Sequence, residues 1–383
     1  MKVSVIGPTH PFRGGISHYT SLLVKTLRYQ MDVQFLSYSR QYPAWLYPGN
    51  NDRDPSSRLI VLEKPDHIFD AISPRAWWHL PKRVTEHRSD LVIVPWTVVY
   101  WTPYYYLFLK ALKKYCPAAA VFICHNVVEH ESSWVRDTIS RKVLCQADFF
   151  ITHSQWDKIN LLKWIGDKRK DQIQVSPHPV YEHLASPMLD KASARAQLKV
   201  NAERVLLFFG FIREYKGLRY LLHSLPLILK KFSVHLLVAG EAWRDIQIYQ
   251  KMIRDLHLEG RVTLDIQYIP NERVCIYFAA ADLVVIPYTS ATQSGIVQLA
   301  YGFRKPVVVG KVGGIPEAVV HGQTGYLVPP QNAPSIAEAV IDFYSEARES
   351  VMLAHIEAKL RHHSWERMAE TVGFVGKQAL ASR

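Results

Sequence analysis

Short apolar runs alternate with amphipathic stretches along the whole chain, and this alternation starts again near the middle. The stretch GGISHYTSLLVKTL places Ile16, Tyr19, Leu23 and Leu27 on one helical face. The apolar runs are KVSVIG, VQFLSY, LIVLE, DLVIVPW, AAVFICHN and ADFFITHS in the first half, and RVLLFFGF, VHLLVAG, RVTLDI, DLVVIPY, PVVVG and GYLVPP in the second. Buried strands that alternate with helices predict a parallel sheet in each half, and therefore an α/β fold.

The two α/β halves are joined by a segment rich in proline and polar residues, QIQVSPHPVYEHLASP. A length of 383 residues suits two domains of ordinary size. We predict a Rossmann-like domain over residues 1–180, a second over 181–362, and a terminal helix over 363–383 that crosses back to the first domain. The two domains should face a cleft, because ligands of such sheets bind at the carboxyl ends of the strands.

The composition is that of a folded and basic protein. Hydrophobic residues make up 48% of the chain and charged residues 21%, and the formal net charge is +12. Residues 1–180 hold 23 Lys and Arg against 15 Asp and Glu, so most of the excess lies in the first half. Such a surface attracts nucleic acid, anionic lipid or phosphorylated substrates, or serves solubility alone. Since the sequence has no nucleic-acid motif, we expect no nucleic-acid partner.

Three features bear on the compartment. The four cysteines show no metal-binding spacing and are expected to be reduced thiols, as in cytosolic proteins. The first residues, MKVSVIGPTH, lack the apolar core of a signal peptide. The stretch Leu91–Leu109 has no charge and could nominally span a bilayer, but two prolines interrupt it and favour a buried strand. We therefore expect a cytoplasmic protein.

Two loops combine glycine or cations with a following helix. In VIGPTHPFRGGISHYT a strand runs through Gly14 and Gly15 into a helix whose N–H groups can bind phosphate, although a purely structural turn would look the same. In FFGFIREYKGLRYLL a strand ends at Gly210, and Arg213 and Lys216 precede the helix. Two cations at the tip of a strand would neutralise a diphosphate; solvated loop charges are the alternative.

A third loop has no charge. In SATQSGIVQLAYGFRKPVVV a strand is followed by a Ser/Thr/Gly loop and a helix, with no charged side chain before Arg304. A helix N-terminus binds phosphate without side-chain charge. Glutamine and threonine can hydrogen-bond sugar hydroxyls as neutral groups. The loop is therefore compatible with a sugar diphosphate.

The motifs GFIREYKG, VAGE, YIPNERVCIYFAAADLVVIPY, SG, KPVVV and VGGIPEAVVHGQTGYLVPP, in this order, resemble a retaining GT-B glycosyltransferase of family 4, or glycosyltransferase group 1. The resemblance covers essentially the whole chain. It implies transfer of a sugar from a UDP- or GDP-linked donor to a saccharide or lipid-linked acceptor, with retained configuration, in polysaccharide or glycolipid biosynthesis. It also implies that no metal or other cofactor is needed and that the second domain binds the donor.

The resemblance implies roles for individual residues. Arg213 and Lys216 match the diphosphate-binding pair, and we expect both side chains at a loop tip. His125, in FICHNVVEHE, matches an active-site histidine near the reacting sugar, whereas Glu129 and Glu131 are interpreted as surface carboxylates. The implied donor-binding residues are Gly14, Gly15, Gly210, Tyr268, Gln293, Ser294, Gly295 and Gln298.

The sequence departs from the family at one place. Family members usually carry Glu-x7-Glu after the fourth strand of the second domain. Anchoring on the proline of KPVVV puts those positions at Ala291 and Leu299, and anchoring on Gly295 puts them at Thr292 and Ala300. Neither choice supplies a glutamate, which leaves open the residues that take the two roles.

In the mechanism that the resemblance implies, the leaving diphosphate accepts the proton of the acceptor hydroxyl on the same face of the sugar. The protein then stabilises the charge that develops on the diphosphate. Two other classes stay open, because fold does not fix function. One is a catalytically silent relative or partner subunit that binds a nucleotide-sugar; the other is a nucleotide-sugar epimerase, which needs no acceptor.

One aromatic stretch bears on the acceptor. In PWTVVYWTPYYYLFLKALKKYC, aromatic residues precede a basic helix, a pattern that suits peripheral contact with an anionic membrane at the inner face of the cell membrane. Core packing of a strand and a helix explains many of the same aromatics. The residues are Trp96, Tyr100, Trp101, Tyr104, Tyr105 and Tyr106, followed by Lys110, Lys113 and Lys114.

Overall fold

The computed structural model describes residues 1–43, 51–57, 63–97, 101–127, 134–185, 189–243 and 245–382. The chain forms two compact units. Unit 1 comprises residues 1–54, 61–177 and 364–383, and unit 2 comprises residues 55–60 and 178–363. The change from one unit to the other near Pro177 falls inside the segment that the sequence presents as a linker.

Seven parallel strands form the sheet of unit 1. In chain order they are β1 Lys2–Ile6, β2 Asp32–Arg40, β3 His67–Asp70, β4 Leu91–Trp96, β5 Ala119–Cys124, β6 Phe149–Thr152 and β7 Ile173–Val175. Their order in the sheet is β3-β2-β1-β4-β5-β6-β7. Every residue of β4 and β5 is buried, as expected for parallel strands with both faces covered.

The six strands of unit 2 are also parallel. They are β8 Arg204–Phe209, β9 Val234–Ala239, β10 Val262–Asp265, β11 Leu283–Ile286, β12 Val307–Gly310 and β13 Gly325–Val328. Their order is β10-β9-β8-β11-β12-β13. The prediction of an α/β fold with two Rossmann-like sheets is therefore confirmed.

Helices connect the strands of both sheets. In chain order they are α1 Gly15–Leu27, α2 Pro74–His87, α3 Thr102–Tyr115, α4 Trp134–Leu144, α5 Gln155–Ile165, α6 Lys191–Gln197, α7 Leu218–Leu229, α8 Gln247–Asp255, α9 Asn271–Ala280, α10 Gly295–Gly302, α11 Ile315–Ala318, α12 Ala333–Ser345, α13 Glu349–Leu360 and α14 Trp365–Ala381. In unit 1, α1 packs against α14, whereas α2, α3, α4 and α5 pack in succession. The terminal helix thus returns to the first unit, as predicted.

Two strands of unit 1 differ from the prediction. The strand β7 lies at the start of the predicted linker, and β3 has no counterpart among the predicted runs. Both are too short to show a clear period of two. The predicted strand LIVLE falls mainly on residues 59–62, which lie outside the described residues.

The aromatic stretch before the basic helix belongs mostly to the core. Trp96, Trp101 and Tyr105 are buried, and the hydroxyl of Tyr105 donates to the carbonyl of Pro95 at 2.9 Å. Tyr106 is 42% exposed, and Lys110, Lys113 and Lys114 are exposed on the same helix. Tyr100 lies outside the described residues. The aromatics of β4 and of the first turn of α3 therefore stabilise the fold, and the outer surface of α3 is basic.

Candidate functional site

The centre of the unit 2 sheet brings two loops together. Strands β8 and β11 are neighbours, and the chain leaves them toward opposite edges of the sheet, through β9 and β12 respectively. Ligands of open parallel sheets bind at the carboxyl ends of the strands at such a switch point. The loop after β8 carries Gly210, Arg213 and Lys216, and the loop after β11 leads into α10.

Lys216 and α10 meet above Gly210. A Cβ atom built on Gly210 would lie 3.0 Å from the Nζ atom of Lys216 and 3.2 Å from the Cδ1 atom of Ile296 in the first turn of α10. Gly210 also has a φ of +94°, a conformation that favours glycine. The structure therefore places an ammonium group beside a helix N-terminus, and Gly210, which has no side chain, lies next to both.

Lys216 is buried, with 7% of its surface exposed. Burial, and secondarily the positive charge of Arg213, lowers the pKa of Lys216 from 10.5 to about 7. Lys216 lies in the loop after β8, as expected, but its side chain is buried and not solvated. The loop is held inward because the N–H of Thr289 donates to the carbonyl of Tyr215 at 2.7 Å.

Arg213 lies on an aromatic surface. Its guanidinium carbon is 3.6 Å from the ring centre of Trp243, a cation–π contact, and the guanidinium also hydrogen-bonds the side chain of Tyr215. Trp243 packs in turn on Phe211, with ring centres 4.8 Å apart. These contacts restrict a flexible side chain near the strand tip. Sequence reasoning missed Trp243, because it follows β9, a different strand from the one that leads to Arg213.

The N-terminus of α10 is capped by Ser294. The Oγ atom of Ser294 accepts from the N–H of Val297 at 3.2 Å and lies 2.9 Å from the hydroxyl of Tyr288. The N–H groups of Gly295 and Ile296, in the first turn, cannot form bonds within the helix. Gly295 is exposed, and among the described residues a Cβ built on it would meet only Tyr181, at 3.9 Å. The end of this helix is therefore open to a ligand.

Glycines at the end of β12 and in the motif VGG that follows it support the same loop. A Cβ on Gly313 would lie 1.9 Å from the carbonyl oxygen of Ala291, and one on Gly310 would lie 1.9 Å from that of Tyr288. The N–H of Gly314 donates to the carbonyl of Thr292 at 2.9 Å. Only glycine permits such close approach of two backbones, so this motif fixes the loop before α10.

The remaining donor-binding candidates differ in burial and in their position in the sheet. Gln298, in α10, is 1% exposed, and its Oε1 atom has no hydrogen-bond partner in the described part of the chain. Gln293 is half-buried in the loop. Tyr268 follows β10, which β9 and β8 separate from β11, so it lies toward the edge of the sheet. Glu241, a buried carboxylate at the end of β9, was not singled out in the sequence although it stands in the motif VAGE.

Unit 1 has its own open helix N-terminus. Gly14 precedes α1 with a φ of +108°, and apart from its chain neighbours no described residue has an atom within 4 Å of a Cβ built on Gly14 or on Gly15. The loop before them is fixed by backbone bonds, because the N–H of Arg13 donates to Asp52 and that of Asp54 to Pro11. The phosphate-binding role that the sequence suggests for the two glycines stays a prediction.

His125 lies directly after β5 and is buried. The backbone N–H of His125 donates to the carbonyl of Trp96 at 2.9 Å. The ring of Tyr19 packs edge-on against the imidazole of His125, with ring centres 4.4 Å apart. A second buried histidine, His153, lies 5.2 Å away between ring centres. Sequence reasoning missed it, because a single histidine after a strand gives little signal. Glu129 and Glu131 lie outside the described residues.

Residues 203–346 match the family described as glycosyl transferases group 1. An uncharacterized glycosyltransferase of Methanocaldococcus jannaschii is 30% identical over 182 residues, which cover 46% of this chain and 46% of that protein. A D-inositol 3-phosphate glycosyltransferase of Corynebacterium glutamicum is 23% identical over 262 residues, covering 65% of this chain and 62% of its own. The chain thus spans about half to three fifths of the curated relatives it matches.

The fold recurs in solved structures. HepE of Anabaena in complex with UDP has a TM-score of 0.75 at 19% identity, with all of both chains covered. The fold of this chain is therefore the GT-B fold. The resemblance to group 1 glycosyltransferases is confirmed, and residues 203–346, which contain the loops of Lys216 and Ser294, are the region that carries it.

Proposed function

We propose that this protein is a retaining glycosyltransferase that moves a sugar from a nucleoside diphosphate donor to a saccharide or lipid-linked acceptor. The observation that carries the proposal is the position of the Lys216 ammonium over Gly210, beside the N-terminus of α10. A cation and free N–H groups that converge at the switch point of a parallel sheet suit a diphosphate.

The chemistry follows from what the site offers. When the bond between the sugar and the diphosphate breaks, negative charge grows on the leaving oxygen. Lys216, Arg213 and the N–H groups of the first turn of α10 are placed to stabilise that charge without reorganisation. The acceptor oxygen bonds to the anomeric carbon on the face from which the diphosphate leaves, which gives retention, and the leaving diphosphate takes the proton of the acceptor hydroxyl. Because the chain supplies the positive charge, the proposal requires no metal ion.

The donor proposed is UDP- or GDP-linked. The structurally similar HepE has been solved with UDP and with UDP-glucose, which supports a nucleoside diphosphate for this chain. We assign the diphosphate to Lys216, Arg213 and the first turn of α10, and neutral polar contacts to Gln293 and Gln298. Gly14 and Gly15 are assigned to binding of a phosphate at the N-terminus of α1, and Tyr268 to the outer part of the donor.

For the acceptor, we propose a saccharide carried on a lipid, with peripheral contact of unit 1 on an anionic membrane. In support, α3 exposes Lys110, Lys113 and Lys114, with Tyr106 and Tyr115 exposed among them. Basic side chains with interspersed aromatics favour an anionic interface. Within the described ranges, no helix combines the length and apolar character needed to cross a bilayer. The protein would then work at the inner face of the cell membrane, in polysaccharide or glycolipid biosynthesis.

The test is turnover of a panel of nucleotide-sugars, with and without lipid extract as acceptor, followed by Lys216→Ala and Arg213→Ala on the best donor. Each variant should lose roughly 10²-fold in kcat, the order seen when a preorganised charge stabiliser is removed. Lys230→Ala, an exposed lysine on the same unit, is the matched control and should keep full activity.

The outcomes separate the competing functions. Donor binding without turnover of any donor indicates a silent relative, and conversion of the donor sugar without an acceptor indicates an epimerase. Near-normal kcat in both the Lys216 and the Arg213 variants contradicts the diphosphate assignment.

A further inference from the structure

The carboxyl ends of β5, β6 and β7 align three residues in a row. The pairing of these strands runs to their last residues, and His125, His153 and Ser176 each follow one step later. Neighbouring strands lie roughly 4.8 Å apart, and paired side chains lie on the same face of a sheet. The two histidines are therefore adjacent by register, and both are buried.

The ring of His153 is fixed by the third member of the row. Its Nδ1 atom lies 2.9 Å from the carbonyl oxygen of Ser176, and a carbonyl can only accept. Nδ1 must therefore carry the hydrogen, which sets the tautomer of the neutral ring and its orientation. The backbone of β6 and β7 supports this bond, since the N–H of Ser176 donates to the carbonyl of Thr152 at 2.9 Å.

The ring of His125 packs against the rings of both His153 and Tyr19. The planes of the two imidazoles meet at 51°, and a ring nitrogen of one lies within 4.8 Å of a ring nitrogen of the other. Tyr19 contacts both rings, and Trp365 of α14 backs Tyr19 with ring centres 5.1 Å apart. A core that served packing alone would avoid two imidazoles, because buried polar groups need partners.

We propose that His153 is a positioning residue for His125: the Ser176 carbonyl orients the His153 ring, and this ring holds the imidazole of His125 in the orientation used at the reacting sugar. This inference rests on the proposed glycosyl transfer and on the role of His125 in it. His153 acts through His125, and Tyr19 packs against both imidazoles.

The test compares four variants: His153→Asn, whose amide can still donate to Ser176, His153→Phe, which keeps a ring of similar volume, His125→Ala, and the double variant His125→Ala/His153→Phe. His153→Phe should lower kcat about 10- to 100-fold, the order expected when a reacting group is misplaced by an ångström or less. KM for the donor and the affinity for UDP should not change. His153→Asn should recover part of the loss.

The double variant decides between action through His125 and an independent effect. If His153 works through His125, the double variant is no slower than His125→Ala alone; multiplied losses overturn the proposal. Equal activity of His153→Phe and the native protein also overturns the proposal. The same holds if both His153 variants lose kcat and Tm together.

A spectroscopic measurement tests the contact between the two histidines without depending on activity. In protein labelled with ¹⁵N at its 17 histidines, the resonances lost in His153→Asn should be those of a ring protonated at Nδ1. The same substitution should shift the ring nitrogens of His125, assigned through His125→Ala. Unchanged His125 shifts overturn the coupling. If the native protein turns over no donor, the proposed function fails while this spectrum still decides the contact.

Discussion

The carbonyl oxygen of Pro287 lies against the α-carbon of Gly217: a Cβ at residue 217 would come within 2.1 Å of it. Gly217 also has a φ of +78°, so an L side chain would be strained there for two reasons. This contact ties the residue after Lys216 to the end of β11 and thereby sets the position of the lysine.

Gly217→Ala should therefore disturb both stability and donor binding. We expect a loss of roughly 1–3 kcal/mol in the free energy of unfolding, from strain and overpacking. UDP affinity should fall as well, because Lys216 moves with the loop. Chemical denaturation and calorimetry measure the two effects. Gly322→Ala, at a φ of +75° with open space around it, controls for backbone strain alone. Equal effects of the two substitutions would contradict the role of the Pro287 contact.

The second prediction concerns pH. The pKa of Lys216 is about 7 in the folded chain, whereas its ordinary value of 10.5 applies to the unfolded chain. Between pH 7 and pH 10.5 the amine is therefore protonated in the unfolded chain and neutral in the folded chain. Burial of Lys216 therefore lowers the free energy of unfolding below pH 10.5. This loss increases as the pH falls to about 7, and it is constant at lower pH. Lys216→Met should raise Tm at pH 7, with a gain that shrinks toward pH 10. A gain independent of pH would contradict the burial of the amine.

Binding of a diphosphate should reverse this shift. At pH 8 the amine is mostly neutral, and the phosphate charge favours its protonation, so UDP binding should take up close to one proton. Calorimetry in two buffers of different ionisation enthalpy counts that proton. Lys216→Arg, which is always charged, should show no uptake. Equal uptake by both proteins would mean that Lys216 does not face the diphosphate.

A third prediction uses the open end of α10. Within the part of the chain that the structure describes, a Cβ at Gly295 meets only Tyr181, at 3.9 Å, so Gly295→Ala and Gly295→Val should leave the fold intact. A valine side chain would nevertheless occupy the space beside the free N–H groups and should abolish most donor binding, whereas alanine should reduce it less. Full activity of Gly295→Val would place the diphosphate elsewhere.

Gln298 offers a fourth test. Burying an unpaired polar group costs about 1–3 kcal/mol, so Gln298→Leu should keep or raise Tm. If its amide bonds a donor hydroxyl, KM for the donor should rise roughly 3- to 10-fold, the value of one neutral hydrogen bond. Gln293→Ala should likewise lower turnover more than stability. Lower stability with unchanged kinetics in Gln298→Leu would assign the residue to packing.

A fifth prediction addresses the membrane. The protein should co-sediment with vesicles that contain anionic lipid and be released as salt rises. Replacing Lys110, Lys113 and Lys114 with alanine should weaken binding by about 1 kcal/mol per lysine. Replacement of the exposed Lys230, Lys231 and Lys251 of unit 2 removes the same charge and should have little effect. Binding to neutral vesicles, or equal losses in the two triple variants, would count against this surface.

The sequence predicted the elements whose signals are local. Apolar runs located most of the strands, and the serine before GIVQ marked the start of α10, where Ser294 caps the helix. The burial of Lys216 could not be predicted, since it depends on Gly217 meeting Pro287, some 70 residues away in sequence. Trp243 and His153 were missed for the same reason, because each contacts a residue that follows a different strand.

The return of α14 to unit 1 has a consequence for biosynthesis. Gly376 of α14 lies against the side chain of Met1, and Trp365, Met368 and Val372 are buried in a unit whose other residues all precede residue 178. During synthesis on the ribosome, the surface of α1 that packs against α14 stays uncovered until residues 178–363 have been translated and α14 has left the exit tunnel. Ribosome-bound chains stalled before residue 364 should therefore bind chaperones through that surface, and chains in which α14 has emerged should not.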